Sequence, residues 1–272
     1  MSVWEKAKSI DRRIIFLFML LGVALPLLFK IGLPVSVTPN VKNVYDYIEK
    51  LEPGDIVLVS YDHDTGTLPE MLPMSNAILR HLFMKDIKVV GMALRAEGTS
   101  IGRQNIRRSA AEFNKSEGND FVFLGFRPEI TAAILGLGTS FKRVFPKDDR
   151  GVPVEELPLM REVYNYNDVE LVISITDDDT PVYWVNYANA RFKVKVVAGL
   201  TAVMATTFIP FIDSGQMIGM VAGLKGAAEY EKLIKKPGMA ARGMDAQSIS
   251  HLVMIGFIII GNIAYIMKRR GK

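Results

Sequence analysis

Acidic side chains directly follow two predicted strands of this 272-residue chain, and they are the residues best suited to chemistry. Asp62, His63 and Asp64 come after one apolar, β-branched run, and Asp177 and Asp178 come after another. The carboxyl ends of parallel strands meet at one edge of a sheet, where ligands bind. These five residues are therefore predicted to line one mouth and to form a ligand site.

Two interpretations of this predicted mouth stay open. In the first, Asp62, Asp64 and Asp177 bind a divalent cation such as Mg²⁺ or Ca²⁺, which prefer oxygen ligands, and His63 carries a proton or adds a ligand. In the second, the aspartates are turn residues and helix caps, because Asp is common at both. No cofactor is firmly implied by either interpretation.

Several kinds of chemistry have no support in the sequence. Phosphate-binding G-x-x-x-x-G-K-[ST], the G-x-S-x-G elbow and the H-E-x-x-H helix are missing from it. The chain has no cysteine, which excludes disulfides, thiolate metal sites and cysteine nucleophiles. Arg103, Arg107 and Arg108 form a basic patch without interleaved aromatic residues, so no nucleic acid is predicted as a partner.

Apolar strand-like runs and helix-like segments alternate in the middle of the chain. The predicted strands are 55–61, 87–94, 121–125, 169–175 and 194–198, and the predicted helices are 72–84, 101–116, 129–137 and 182–191. This alternation is typical of an α/β fold with a mostly parallel sheet that is covered on both faces. The predicted architecture is Rossmann-like.

Residues 199–224 form a long apolar segment that allows two interpretations. Its length suits a membrane span, although Pro210, Asp213 and Gln216 interrupt it. The preferred interpretation is a helix, a turn at residues 213–215, and then a buried helix or strand.

Both ends of the chain carry apolar stretches, at 14–35 and 251–267, and these are predicted to be transmembrane helices. Basic residues precede the first stretch and follow the second, so both termini are predicted to be cytoplasmic and the domain extracytoplasmic. The first stretch is then an uncleaved signal anchor in a two-pass cell-membrane protein. The predicted organisation is tail 1–13, helix 14–35, α/β domain 38–236, linker 237–250, helix 251–267 and tail 268–272.

The second apolar stretch contains polar residues on one side. At about 100° per residue, His251 and Asn262 lie within about 20° of each other, and Tyr265 lies about 60° from Asn262. We call these three residues the polar stripe. It is predicted to pack against the first span or a partner subunit, whereas in the alternative the three side chains reach the membrane interfaces.

The leading functional hypothesis is a noncatalytic subunit of a membrane complex, whose domain binds a partner protein or a small ligand. It rests on two observations: the chain has two predicted membrane anchors, and its sequence shows no recognisable set of catalytic residues. The predicted partners are the lipid bilayer and other membrane subunits or further copies of the chain. The alternative hypothesis is a metal-dependent, membrane-bound hydrolase that uses the acidic clusters.

Overall fold

The computed structural model describes residues 11–29 and 31–270, the last three of them by their backbone. Residues 1–10 of the predicted tail 1–13 and residues 271–272 of the tail 268–272 lie outside this description. The described residues form two compact units, of which one is Val35–Ala240 and the other combines the described residues before and after it.

The larger unit is an α/β fold with a six-stranded parallel sheet. Its strands are β1 (Ile56–Asp62), β2 (Lys88–Ala93), β3 (Phe121–Phe126), β4 (Leu171–Thr176), β5 (Lys195–Leu200) and β6 (Gly219–Ala222). They are arranged in the order β3-β2-β1-β4-β5-β6. The strand order reverses between β1 and β4, and that position is where open α/β sheets bind ligands.

Helices connect the strands of the sheet. Those of the larger unit are α2 (Pro39–Glu49), α3 (Leu68–Met84), α4 (Ala96–Ala111), α5 (Ile130–Leu137), α6 (Phe141–Val144), α7 (Thr180–Tyr183), α8 (Ala190–Phe192), α9 (Ala205–Asp213) and α10 (Gly223–Leu233). A π-helical stretch, Trp184–Asn189, joins α7 to α8. Every residue of β1 and β4 is buried, as expected for a sheet with both faces covered.

The structure corrects the predicted start of two helices. Helix α3 begins at Leu68, ahead of the predicted residue 72, because Pro69 suits the first turn of a helix. Helix α4 begins at Ala96, ahead of the predicted residue 101, immediately beyond the end of β2. Both N-termini therefore lie much nearer the carboxyl edge of the sheet than the sequence indicated.

The ambiguous segment 199–224 belongs to the sheet domain. It contains the end of β5, helix α9 and strand β6, with a turn at Ser214 and Gly215. Phe208 on α9 and Met220 on β6 are both buried in the hydrophobic core. The preferred interpretation of a helix, a turn and a buried element is confirmed.

A polar cluster around the buried His81 connects α2, α3 and α10. Nδ1 of His81 lies 2.8 Å from the hydroxyl of Tyr230, and Nε2 lies 3.1 Å from a carboxylate oxygen of Glu49. The ring of Tyr45 stacks on the imidazole at 4.8 Å between centroids. His81 is therefore held on both ring nitrogens and packs within the fold.

In the smaller unit, α1 (Arg12–Leu28) packs antiparallel against α11 (Met239–Arg270). The rings of Phe18 and Phe257 meet edge to face at 5.9 Å, and a Cβ on Gly22 would lie 3.5 Å from Val253. Among the described residues, Met239–Met267 is the one helix long and apolar enough to cross a membrane. The two flanking transmembrane helices of the prediction are thus supported by length and composition for α11 alone.

The polar stripe does not pack against the first span, so of the two predicted contacts the one with a partner subunit stays a prediction. His251, Asn262 and Tyr265 are all exposed in the smaller unit. Helix α1 packs on a different face of α11, where Gly22 of α1 lies close to Val253 and Phe18 contacts Phe257.

Candidate functional site

The loops that follow β1 and β4 meet at the position where the strand order reverses. The backbone N–H of Asp64 donates to Oδ2 of Asp177 over 3.1 Å. The hydroxyl of Thr67 donates to the same oxygen over 2.8 Å. The two acidic clusters are therefore in direct contact at the carboxyl edge of the sheet.

Asp64 also organises its own loop. Its Oδ1 accepts hydrogen bonds from the backbone N–H groups of Gly66, at 2.6 Å, and Thr67, at 3.3 Å. This arrangement closes the turn that leads into α3, which is the role that the turn-and-cap interpretation assigned to the aspartates.

Asp178 has a similar capping role beyond β4. Its Oδ1 accepts from the backbone N–H of Thr180 at 2.8 Å and from the Thr180 hydroxyl at 2.6 Å. The hydroxyl of Thr176 lies 2.7 Å from the same oxygen. The other carboxylate oxygen forms an ion pair with Arg95. Asp178 thus connects the β4 loop to the residue that follows β2.

His63 is buried beside these loops in a defined tautomer. Its Nδ1 lies 3.1 Å from the backbone carbonyl oxygen of Asp64. A carbonyl only accepts hydrogen bonds, so the neutral ring must carry its proton on Nδ1. Nε2 then has a free lone pair, and no described residue is hydrogen-bonded to it. Burial lowers the pKa of His63, which keeps the imidazole neutral near pH 7.

Asp62 has a different place from its neighbours, because its side chain is completely buried. Oδ2 accepts from the hydroxyl of Ser60 at 2.6 Å, and Oδ1 accepts from the backbone N–H of Leu94 at 2.6 Å. Burial raises the pKa of Asp62 to about 7. Asp62 therefore joins the ends of β1 and β2 and does not line the open mouth.

Arg95 is a site residue that the sequence analysis missed. It follows β2 and is the N-cap of α4, and its guanidinium pairs with Asp178 while its side chain stays 46% exposed. Its position in the sequence could have indicated a site residue, because Arg95 follows a predicted strand just as Asp62 and Asp177 do. The Arg95 side chain places a positive charge, accessible to solvent, at an otherwise acidic mouth.

The first turn of α4 lies against the end of β1. A Cβ on Gly98 would be 1.9 Å from the carbonyl oxygen of Tyr61 and 3.4 Å from the backbone nitrogen of Asp62. Only glycine permits this approach. No side chain among the described residues caps the N-terminus of α4, so its first-turn N–H groups, which follow Arg95, have no side-chain acceptor.

The predicted metal ligands have other partners. Asp62, Asp64 and Asp177 each accept hydrogen bonds from loop or strand groups. Within the described ranges, no group of three or more histidine, aspartate or glutamate side chains is placed to hold a metal ion. The donor set therefore does not fit Mg²⁺ or Ca²⁺, and a metal at this mouth remains a sequence-based prediction without structural support.

No family model and no curated protein matches this chain. Its fold is similar to the crystal structure of the C-terminal domain of a glycosyl transferase group 1 family protein (LpcC) from Francisella tularensis. The two chains are 14% identical, the match covers 81% of this chain and 94% of the other, and the TM-score is 0.34.

The similar structure is a domain of a glycosyl transferase group 1 family protein, and the prediction of a noncatalytic subunit is not retained. The likeness is one of fold.

Proposed function

We propose that the chain is a membrane-anchored hydrolase that acts on an anionic ester at the mouth between β1 and β4. The observation that carries this proposal is the tautomer of His63. Its Nδ1–H donates to the carbonyl of Asp64, which leaves Nε2 as a neutral base on the residue that follows β1, and open α/β sheets bind ligands at such strand ends.

The anionic character of the substrate follows from Arg95 and from the N-terminus of α4. The Arg95 guanidinium is 46% exposed and can bind a phosphate or carboxylate in bidentate fashion. The first-turn N–H groups of α4, a helix of 16 residues, add a partial positive charge. In this structure the Arg95 guanidinium forms an ion pair with the carboxylate of Asp178.

His63 acts as a general base and then as a general acid in this proposal. Nε2 accepts a proton from a water molecule while the water oxygen forms a bond to the electrophilic centre of the ester. The bond from that centre to the leaving oxygen breaks, and the imidazolium returns the proton to the leaving oxygen. Arg95 and the α4 N–H groups stabilise the negative charge of the transition state.

The contact between Asp64 and Asp177 has a positioning role. It fixes the backbone of Asp64, whose carbonyl oxygen orients the His63 ring. The water is activated by this imidazole, and the proposed reaction has no step that requires a metal ion.

We also propose a two-pass topology with both termini in the cytoplasm and the α/β unit outside. Large apolar side chains of α1 and α11 are exposed, including Phe16, Leu20, Leu252 and Ile258, as lipid contact requires. The basic residues at both chain ends support this orientation.

Anion binding tests the proposal directly. Inorganic phosphate is titrated into the detergent-solubilised full chain, and the Tm of the α/β unit is recorded. We expect Tm to rise by roughly 2–4 °C for each kcal/mol of stabilisation by bound phosphate. Arg95→Gln should abolish the rise, and Arg108→Gln, which removes an exposed arginine near the other end of α4, should leave it unchanged.

The same titration examines the metal hypothesis. Mg²⁺, Ca²⁺ and Mn²⁺ are expected to leave Tm unchanged, because the carboxylates already accept hydrogen bonds within the protein. A rise with phosphate that survives Arg95→Gln would contradict the proposed anion site.

A further inference from the structure

Five residues of α11 form an exposed face with regular spacing. His251, Ile255, Ile258, Asn262 and Tyr265 follow one another at intervals of four, three, four and three residues. All five are exposed in the smaller unit, Ile255 to 51%, Ile258 to 55% and Tyr265 to 64%. This alternation is the a/d seam of a left-handed coiled coil, in which Ile255 and Asn262 occupy a positions.

The seam points away from α1. The face of α11 that contacts α1 contains Val253 and Phe257, and Ala264 further along the same face is buried. At about 100° per residue, Asn262 and Ala264 are about 160° apart on the helix. The seam therefore lies on the side of α11 that α1 leaves free.

Exposure of the seam to lipid would be energetically unfavourable, because it contains the polar side chain of Asn262. Its side chain has no hydrogen-bond partner in the described part of the chain. It precedes Lys268 by six residues, which is about 9 Å along the helix axis, too far for an amide to reach the headgroups. An unsatisfied amide in hydrocarbon requires a partner across a helix interface.

We infer that two copies of this chain associate in parallel through the seam of α11, with the Asn262 amides paired across the interface. An amide carries both a donor and an acceptor, so it is complementary to its own copy. One asparagine at an a position sets register and favours a defined oligomer. The inference rests on the proposed membrane insertion of α11 and is independent of the hydrolase reaction.

Cysteine cross-linking tests the inference cleanly, because the chain has no cysteine. Ile258→Cys on the seam and Ile263→Cys beside it are made in the full chain and oxidised in isolated membranes. We expect Ile258→Cys to give a disulfide-linked dimer of twice the chain mass and Ile263→Cys to give little.

Substitution of the amide supplies the second measurement. Asn262→Leu is expected to lower the cross-linked fraction of Ile258→Cys about threefold to tenfold, whereas Asn262→Gln, which keeps an amide, should lower it less. Equal cross-linking at positions 258 and 263, or a product with the mass of another protein, would overturn the inference. Release of the chain from membranes by alkaline carbonate would also overturn it, because the seam would then not lie in lipid.

Discussion

The backbone N–H of Asp64 donates to Oδ2 of Asp177 over 3.1 Å, and this bond joins the loops of two neighbouring parallel strands. Thr67 adds a second hydrogen bond to the same oxygen. These two hydrogen bonds fix the loop that contains Asp64, whose carbonyl oxygen orients the His63 ring. Loop geometry and imidazole orientation are thus linked through one carboxylate.

Asp177→Ala should loosen this connection. We expect the free energy of unfolding to fall by about 1–2 kcal/mol, because two hydrogen bonds to a partly exposed carboxylate are lost. Urea unfolding measures the change. Asp179→Ala, an exposed neighbour in the same loop, should change stability by less than about 0.5 kcal/mol. Equal effects of the two substitutions would show that the Asp177 contacts have no special role.

Asp62 should make stability depend on pH in an unusual direction. Its pKa is about 7 in the folded protein against an ordinary value of 3.8, so the folded state keeps a proton that the unfolded state loses between these values. The stabilisation from Asp62 is fully present below pH 3.8 and is lost as pH rises through 7, at up to roughly 1.4 kcal/mol per pH unit.

Asp62→Asn isolates this effect, because an amide can accept from the Leu94 N–H and donate to the Ser60 hydroxyl as a protonated carboxyl does. The free energy of unfolding of the variant minus that of the unsubstituted chain should increase between pH 4 and pH 7. Unfolding in urea at a series of pH values gives the difference. A difference that stays constant over this range would mean that Asp62 ionises in the fold as it does in water.

The strands of the sheet could be predicted from local sequence. The face of α11 that contacts α1 and one residue of the mouth could not. The β-branched runs before Asp62 and Asp177 gave buried parallel strands, since no other element buries such a short run on both faces. The face of α11 that contacts α1 contains Val253 and Phe257, which are apolar like most residues of this helix, so the sequence of α11 did not reveal it. Arg95 lies at an equivalent strand end, but as a single cation it belongs to no acidic cluster, so it was not predicted as a site residue.

The proposed topology predicts the side of the membrane on which the α/β unit lies. Protease added to intact cells should cleave within residues 35–240, and tags at both termini should be protected until the membrane is opened. Exposed lysines such as Lys193 and Lys235 provide cleavage positions for trypsin. Full protection of the unit in intact cells, with cleavage after lysis, would reverse the orientation.

Hydrolysis of p-nitrophenyl phosphate by the solubilised full chain tests the role of His63 most directly. We expect turnover by the unsubstituted chain and by Asp179→Asn, and a kcat/KM at least about 100-fold lower for His63→Gln. The unsubstituted chain should lose activity on the acid side as His63 gains a proton, at a pH below the ordinary 6.5 because burial lowers its pKa. Absence of turnover in the unsubstituted chain, or equal kcat/KM for the unsubstituted chain and His63→Gln, would contradict the account.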